Sequence, residues 1–338
     1  MLYRLARRAL FQLDAETAHE LTLESFRRFP RLATAPFAGA AVDDPVELLG
    51  LHFRNRVGLA AGLDKNGECL EAWSRLGFGF VEIGTVTPRP QPGNPRPRMF
   101  RLPEHQALIN RLGFNNKGVD HLVERVRESA YRGVLGINIG KNADTPIERA
   151  ADDYVACLRK VHAHASYVTV NISSPNTRNL RDLQDEARLD QLLGTLAAER
   201  ESLAQREGRR APMLVKIAPD IGEPQLDAIA AAARRHGVDG LIATNTTITR
   251  PGLEGHSLAN EAGGLSGVPL RPLADATLSS LRARVGEDFV LVGVGGIVEP
   301  EHAKAKRQAG ADLVQVYSGF IYEGPTLVHG CARTLAAD

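Results

Sequence analysis

The chain has 338 residues, of which 43% are hydrophobic and 24% charged, a balance typical of folded globular proteins that argues against disorder. Its 41 basic and 40 acidic residues give a net charge of +1, so no overall charge attracts nucleic acid, and that class of partner is not expected. Three widely spaced cysteines, Cys69, Cys157 and Cys331, follow no metal-ligand spacing and predict free thiols in a reducing compartment.

Residues 1–40 are predicted to form an amphipathic helical hairpin, with Asp14 as the N-cap of its second helix. Arg4, Arg7 and Arg8 interrupt the apolar residues of the first helix, so this segment lacks a signal-peptide core. No apolar run is long enough to span a bilayer, and we expect a cytoplasmic chain. The hairpin either packs against the rest of the protein or leaves an apolar side open to a membrane or an apolar ligand.

Beyond the hairpin, short apolar runs alternate with amphipathic helical segments. Eight runs are present, at residues 56–63, 79–87, 133–140, 167–174, 212–220, 240–247, 289–297 and 311–320. Because they are almost continuously apolar, they are predicted to be parallel strands buried on both faces. Eight such units predict an α/β protein, a (β/α)8 TIM barrel over residues 41–338 with the hairpin as an N-terminal extension. The absence of G-x-G-x-x-G after the first run disfavours a Rossmann sheet.

Two long segments interrupt this alternation. Residues 87–115 contain five prolines between positions 88 and 97, which exclude a regular helix there. A structured loop at this end of a barrel strand commonly shapes a site. Residues 245–272 follow the sixth run and are either a mobile lid or simply a long loop.

Polar or glycine residues end nearly every predicted strand, at the side where barrels of this kind carry function. They are Lys65, Thr85, Asn138, Asn171 with Ser173 and Ser174, Lys216, Thr244 with Asn245 and Thr246, Gly295 with Gly296, and Tyr317 with Ser318. Turns and caps alone account poorly for so many polar endings. The glycine pair and Ser318 follow the seventh and eighth strands, the usual phosphate site of the fold, and predict a phosphorylated cofactor, although a plain turn would also use these glycines.

Amide side chains form a second signal near the strand ends. They are Asn110, Asn115, Asn138, Asn171, Asn176 and Asn245. Asparagine suits a small planar ligand with alternating C=O and N–H groups, but it is also common in turns. The strand ends offer neither a metal-ligand set nor an acidic pair, so we predict no metal and a redox or carbonyl-rich ligand rather than hydrolysis. Lys65 and Lys216 allow three interpretations: a Schiff-base nucleophile, a fixed cation for an anionic ligand, or a lysine that reaches solvent at the barrel mouth.

Taken together, these residues resemble the dihydroorotate dehydrogenase family. The matching strings are GLAAGLDKNGE (58–68), EIGTVTPRPQPGNPRPR (82–98), LINRLGFNNKG (108–118), GINIGKN (136–142), NISSPNT (171–177), VKIAPD (215–220), ATNTT (243–247), GGLSG (263–267), GVGGI (293–297) and VQVYSGF (314–320). They extend over the whole predicted barrel, which makes the resemblance specific.

The resemblance implies FMN as cofactor and dihydroorotate as substrate. The implied FMN contacts are Ala61, Gly62, Leu63, Asp64, Lys65, Thr85, Asn138, Asn171, Lys216, Thr244, Gly267, Gly296, Tyr317 and Ser318. The implied substrate contacts are Lys65, Asn110, Arg111, Leu112, Gly113, Phe114, Asn171, Asn176, Asn245 and Thr246. Ser174 would be the catalytic base that takes a proton from C5 while C6 passes hydride to flavin N5. A serine hydroxyl is a weak base and needs a water relay or a neighbour such as Thr177.

One position indicates the class within the family, because the soluble class carries cysteine where this chain has Ser174. Together with the hairpin, the serine implies the membrane-associated class 2, which oxidises (S)-dihydroorotate to orotate in de novo pyrimidine (UMP) biosynthesis and reduces ubiquinone or menaquinone. His19 and Arg101, with Tyr317, would line the quinone passage. The resemblance further implies a monomer held peripherally on the cytoplasmic face of the inner membrane through residues 1–40.

Two other functions remain open at the level of sequence. A barrel lyase or aldolase with Lys216 as Schiff base would explain the phosphate loops but not the amide cluster or the hairpin. A non-catalytic protein of the membrane surface would explain the hairpin but not the strand ends.

Overall fold

The structure, a computed structural model, describes residues 2–39 and 42–337. Within these residues, eight parallel strands close into a barrel. The strands are β1 (Val46–Leu48), β2 (Leu51–Phe53), β3 (Val57–Leu59), β4 (Phe80–Val86), β5 (Met99–Leu102), β6 (Ala107–Asn110), β7 (Val134–Ile139), β8 (Tyr167–Asn171), β9 (Met213–Ile217), β10 (Gly240–Ala243), β11 (Gly264–Gly267), β12 (Val290–Val294) and β13 (Leu313–Val316). The helices are α1 (Leu2–Leu10), α2 (Ala15–Arg28), α3 (Pro30–Thr34), α4 (Leu70–Ser74), α5 (Val119–Glu128), α6 (Ala150–Val161), α7 (Glu186–Glu207), α8 (Glu223–Arg235), α9 (Arg271–Val285), α10 (Pro300–Gln308), α11 (Ser318–Glu323) and α12 (Pro325–Ala336).

The barrel runs in the order β3, β4, β7, β8, β9, β10, β12 and β13, and β13 pairs with β3 to close it. Each of the eight predicted runs contains one of these strands, so the predicted (β/α)8 barrel is confirmed. The strands are buried on both faces because helices cover the outside and side chains fill the inside. At the amino-terminal end, the β1–β2 hairpin packs Phe53 against Phe80 with ring centroids 5.3 Å apart. A ligand site is therefore expected at the opposite end.

The two irregular segments come together in a small antiparallel sheet that the sequence did not predict. Strands β5 and β6 belong to the proline-rich segment, and β11 belongs to residues 245–272. β6 lies in the middle and pairs with both neighbours, over a small core that includes Leu102, Ile109 and Leu265. The prolines occupy irregular backbone, as predicted. This sheet forms one wall above the carboxyl end of the barrel.

The N-terminal extension contains the two predicted helices, α1 and α2, and a short α3 that was not predicted. Asp14 caps α2, since its carboxylate accepts hydrogen bonds from the backbone N–H groups of Glu16 and Thr17 at 3.0 Å. Tyr3 Oη donates to the carbonyl of Ile321 at 2.6 Å and so holds α1 against α11. The predicted boundary at residues 40 and 41 lies outside the described residues. Among the described helices, none is both long and apolar enough to cross a bilayer.

Candidate active site

A cavity of about 920 Å³, including its open mouth, lies at the carboxyl end of the barrel. Most of the predicted site residues line it. From the cofactor prediction these are Ala61, Gly62, Lys65, Thr85, Asn171, Lys216, Thr244, Gly267, Gly296, Tyr317 and Ser318. From the substrate prediction they are Asn110, Leu112, Gly113, Phe114, Asn176, Asn245 and Thr246, together with Ser174. They meet because the carboxyl ends of parallel strands share one rim.

Four residues of the cofactor and substrate predictions do not line this cavity. The Asp64 carboxylate accepts hydrogen bonds from Trp73 Nε1 at 3.0 Å and from the Cys69 N–H at 2.9 Å, so any contact with a ligand would come through its backbone. The Arg111 guanidinium pairs with Glu261 instead. Leu63 lines a second cavity, and Asn138 lies buried behind Thr85.

Hydrogen bonds fix the orientation of the amide groups at the cavity floor. Asn171 Nδ2 donates to Thr85 Oγ1 at 2.8 Å and to Asn138 Oδ1 at 3.2 Å. Ser173 Oγ donates to Asn171 Oδ1 at 3.0 Å and accepts from Asn245 Nδ2 at the same distance. Ser173 thus connects two predicted ligand residues, a role that its position beside Ser174 did not reveal. A fixed set of donors and acceptors suits recognition of a planar, carbonyl-rich ligand.

Ser174 is 6% exposed and lines the same cavity. Its Oγ accepts a hydrogen bond from the Asn176 N–H at 3.3 Å, which leaves its own proton free for a ligand or a relay. Thr177, which follows Ser174 closely in the chain, is buried, and its Oγ1 has no hydrogen-bond partner among the described residues. An unpaired buried hydroxyl is costly and indicates that a water molecule or ligand group completes the site.

Two buried lysines line the cavity. Burial lowers the pKa of Lys65 to about 8, opposed by the nearby Glu16 carboxylate. Burial likewise lowers the pKa of Lys216, opposed by Glu82. Burial raises the pKa of Tyr317 to about 12, so this phenol stays neutral at physiological pH. With Lys65 mostly protonated near pH 7, the cavity suits an anionic ligand.

Glycines form a cradle at one side of the cavity. Gly267 and Gly296 have φ values of +94° and +76°. A Cβ on Gly296 would lie 2.3 Å from the Arg271 Cβ, and one on Gly267 would lie 2.2 Å from the Gln106 carbonyl oxygen. Glycine is therefore required, and it leaves backbone N–H groups accessible. The hydroxyl of Ser318, which donates a hydrogen bond to Ser266 Oγ at 2.8 Å, adds a further polar group to this cradle. These donors suit a phosphate group.

A second cavity, of about 970 Å³ and almost wholly apolar, lies between the extension and the barrel. Of the three residues predicted to line a quinone passage, His19 and Arg101 line this cavity, whereas Tyr317 lines the first one. Burial lowers the pKa of His19 to about 3, with Lys65 adding to the effect, so its imidazole is neutral. Gly62 lines the first cavity, called the polar cavity below for its amide, hydroxyl and lysine side chains, and Leu63 lines the second, called the apolar cavity. The two cavities therefore come close to each other at adjacent residues of the chain.

Residues 45–337 match the family model described as dihydroorotate dehydrogenase. The chain belongs to the dihydroorotate dehydrogenase family. It is 59% identical over 333 residues to the dihydroorotate dehydrogenase (quinone) of Aromatoleum aromaticum, covering 98% of this chain and 95% of that one. It is 57% identical over 336 residues to the protein of that name from Thiobacillus denitrificans, covering 99% and 100%.

Solved structures similar to this chain are named as members of the same family. The chain superposes on the DHODH of Eimeria tenella in complex with ferulenol with a TM-score of 0.88 and 37% identity, covering 95% of this chain and 90% of that one. The ligand-free form of the same enzyme gives a TM-score of 0.87. Membership of the dihydroorotate dehydrogenase family favours an oxidoreductase over the lyase and over a non-catalytic surface protein.

A possible metal site outside the barrel, which the sequence did not suggest, consists of Glu104, His105 and His256. His256 Nδ1 accepts a hydrogen bond from the Leu258 N–H at 3.0 Å, so the ring proton of the neutral imidazole is on Nε2. That nitrogen lies 2.6 Å from Glu104 Oε1. The tautomer suits this hydrogen bond and opposes metal binding through Nε2.

Proposed function

We propose that this chain oxidises (S)-dihydroorotate to orotate with FMN as hydride acceptor and passes the electrons to a membrane quinone. The observation that carries the proposal is the pair of cavities, one polar and one apolar, to which the adjacent residues Gly62 and Leu63 respectively contribute. A charged, hydrogen-bonding substrate suits the first cavity, and a quinone ring suits the second. The relatives named dihydroorotate dehydrogenase (quinone) support the same reaction.

FMN would occupy the floor of the polar cavity. The glycine cradle and Ser318 would hold its phosphate, and Thr85, Asn171 and Lys216 would hold its ring system. When bound, FMN supplies a two-electron acceptor. The side chains would determine where the substrate lies against it, and the adjacent residues Gly62 and Leu63 would place the apolar cavity near its ring system.

Dihydroorotate would lie over FMN, surrounded by amide side chains. Asn110, Asn176 and Asn245 offer the donors and acceptors that its ring carbonyls and N–H groups require. The Lys65 ammonium would bind its carboxylate. Ser174 would then accept the C5 proton, and Thr177, with a water molecule, would pass that proton onward, since a serine hydroxyl is too weak a base to keep it.

The purified protein itself provides the first test. It should be yellow, carry FMN, and lose the oxidised-flavin absorbance when dihydroorotate is added without oxygen. Quinone, fumarate and NAD should then be compared as electron acceptors, and quinone should be preferred. A colourless protein that cannot be reconstituted with FMN would refute the proposal. Borohydride trapping of a substrate adduct on Lys216 would support the lyase instead.

Arg101 is the first residue with which to test the apolar cavity. Its guanidinium lies over the Phe11 ring, 4.5 Å from the centroid, and donates to the Leu10 carbonyl at 3.3 Å. Arg101→Ala would remove a cation and a support of the turn between α1 and α2, so we expect the KM for quinone to rise about tenfold or more. FMN reduction by dihydroorotate should stay unchanged. Arg206→Ala on α7, which lines neither cavity, is the matched control; equal effects of both variants would contradict this assignment.

The extension also suits contact with a membrane. Leu2, Leu5 and Leu32 are 60%, 56% and 74% exposed, and the arginines of α1 complement the anionic cytoplasmic leaflet. The proposal therefore includes a monomer bound peripherally on the cytoplasmic face of the inner membrane, with ubiquinone or menaquinone as acceptor.

Replacing Leu2 and Leu5 together by glutamine is expected to weaken binding to anionic vesicles by at least about tenfold, because each leucine contributes about 1.5–3 kcal/mol when fully buried. Co-sedimentation with vesicles measures this. FMN content and reduction by dihydroorotate should not change. Ile248→Gln serves as control, since Ile248 is 56% exposed but lies outside the extension. Unchanged binding of the double variant would exclude this face as the contact.

A further inference from the structure

A single arginine, Arg181, joins the loops that follow the neighbouring strands β8, β9 and β10. It lies in a short 3-10 helix, Leu180–Gln184, between β8 and α7. Its Nε donates a hydrogen bond to the Ser173 carbonyl at 3.1 Å, and its Nη2 donates to the Thr246 carbonyl at 2.8 Å. Its Nη1 donates to the Asp220 carboxylate, also at 2.8 Å. Each nitrogen of one guanidinium group thus holds a different loop at the carboxyl end of the barrel.

The carboxylate of Asp220 extends this network. Its Oδ1 accepts a hydrogen bond from Thr247 Oγ1, and its Oδ2 accepts one from the Ile248 N–H at 3.1 Å. The side chains of Arg181 and Asp220 are 20% and 10% exposed, so solvent and salt screen this ion pair less than one at the surface. A planar guanidinium, with donors in fixed directions, holds such groups in one relative arrangement. Neither residue belonged to the predicted site.

The two carbonyl groups that Arg181 holds are next to residues with assigned roles. The Ser173 carbonyl belongs to the peptide bond that leads to Ser174, the assigned base. Thr246 follows Asn245, which the proposed function assigns to the substrate. At the cavity, Asn245 Nδ2 also donates to Ser173 Oγ at 3.0 Å. The loop of the base and the loop of the substrate amide are therefore connected twice, once at the cavity and once through Arg181, which does not line it.

We propose that Arg181 is a positioning residue that fixes the Ser174 hydroxyl relative to dihydroorotate held by Asn245, with Asp220 orienting the guanidinium. Removal of the C5 proton requires the base oxygen within hydrogen-bond reach of that proton. A displacement of about 1 Å can slow a step of this kind about 10²-fold. The inference rests on the proposed function, because it concerns the reaction assigned to the polar cavity. It adds a residue on which the geometry of that reaction depends.

Replacing Arg181 in two backgrounds distinguishes this role from a general effect on the fold. Arg181→Ala is expected to lower the rate constant of FMN reduction at saturating dihydroorotate about 10²-fold. In Ser174→Ala there is no base to misplace, so the same substitution should lower the remaining rate constant less than about threefold. Anaerobic stopped-flow measurement of the wild type, both single variants and the double variant gives these values. A loss of folded protein would instead lower the amplitude of the absorbance change.

Arg188→Ala is the matched control, because Arg188 lies close to Arg181 in the chain and pairs with Asp182 at the surface, at 3.7 Å. It should react at the wild-type rate. Should Arg181→Ala fail to fold, Arg181→Lys provides the same comparison. The lysine keeps a cation beside Asp220, but an ammonium group lacks the planar fork that reaches both carbonyls. It should slow FMN reduction at least about tenfold, and this slowing should likewise disappear in the Ser174→Ala background.

An equal fold-reduction of the rate constant in both backgrounds would overturn the inference, because Arg181 would then act on something other than the base. A wild-type rate constant in Arg181→Ala would also overturn it. Both outcomes leave the proposed function intact, since dihydroorotate still reduces FMN in the wild type. Failure of the wild type to bind FMN, or to be reduced by dihydroorotate, would instead refute the proposed function itself.

Discussion

Replacing Ser174 by alanine is expected to slow FMN reduction by dihydroorotate by about 10²- to 10⁴-fold, the usual contribution of a positioned general base. The proposed reaction breaks the C5–H bond, and Ser174 Oγ is the hydroxyl assigned to receive that proton. The variant should still bind FMN, because the glycine cradle, Lys216 and the amide network do not depend on this side chain. Its only described hydrogen bond is accepted from the Asn176 N–H, so its loss should hardly change the fold.

Anaerobic stopped-flow measurement of the oxidised-flavin absorbance tests this directly, because quinone is absent and only the first half-reaction is observed. Ser279→Ala, on the exposed surface of α9, is the matched control and should react at the wild-type rate. A full rate in Ser174→Ala would remove Ser174 from the role of base. Loss of FMN from this variant would show instead that the hydroxyl has a structural role.

The barrel was predictable because its strands are covered on both faces. Such strands are continuous apolar runs, and β4, β9 and β12 stand out from the amphipathic helices between them. The polar strand ends were predictable for the same reason, since they interrupt apolar runs at one rim. The sheet of β5, β6 and β11 was not, because β11 pairs with a strand about 150 residues earlier in the chain and no local period encodes that pairing.

Buried charges were the other feature that sequence reasoning missed. Glu82 stands in the apolar run FVEIGTV, and this interruption was the one available signal. Its partners Asn138, Tyr167 and Gln315 lie on three other strands, so only the closed barrel brings them together. Asp64 shows what a resemblance leaves open: it implied a cofactor contact without saying which atoms make it, and because the carboxylate holds Trp73 and the backbone around Cys69, such a contact would come through the backbone. The direction of a side chain depends on neighbours that a motif does not specify.

Replacing Glu16 by alanine is expected to weaken docking of the extension on the barrel by about 3–5 kcal/mol, the usual cost of breaking a buried ion pair. Glu16 and Arg98 are 4% and 5% exposed, and Arg98 Nη2 and Nε donate to the Glu16 carboxylate at 2.7 and 3.0 Å. Arg98 Nη1 also donates to the carbonyls of Pro92 and Asn94, so the guanidinium cannot easily turn to solvent. The variant would leave this cation buried without its counter-charge.

Hydrogen exchange of the α2 backbone amides measures this docking, and exchange should accelerate in Glu16→Ala while the barrel strands stay protected. Glu24→Ala is the matched control, because Glu24 lies on the same helix and pairs with Arg27 and Arg28 at the surface. That variant should exchange like the wild type, since exposed ion pairs contribute little. Equal protection of α2 in both variants would mean that the apolar contacts of the extension are sufficient.

The same substitution should also alter the polar cavity, because Glu16 is the carboxylate that most strongly opposes the effect of burial on the pKa of Lys65. Asp64 and Glu20 act in the same direction, and Arg98 acts against them. Without Glu16 the pKa of Lys65 falls below about 8, and a lysine is cationic only below its pKa. The affinity for the dihydroorotate carboxylate should therefore decline at a lower pH in Glu16→Ala than in the wild type, where it declines above about pH 8.

The KM for dihydroorotate, measured from pH 6 to 9 in the wild type, Glu16→Ala and Glu24→Ala, tests this expected shift. Coincident profiles would show that the ion pair anchors the extension without acting on Lys65.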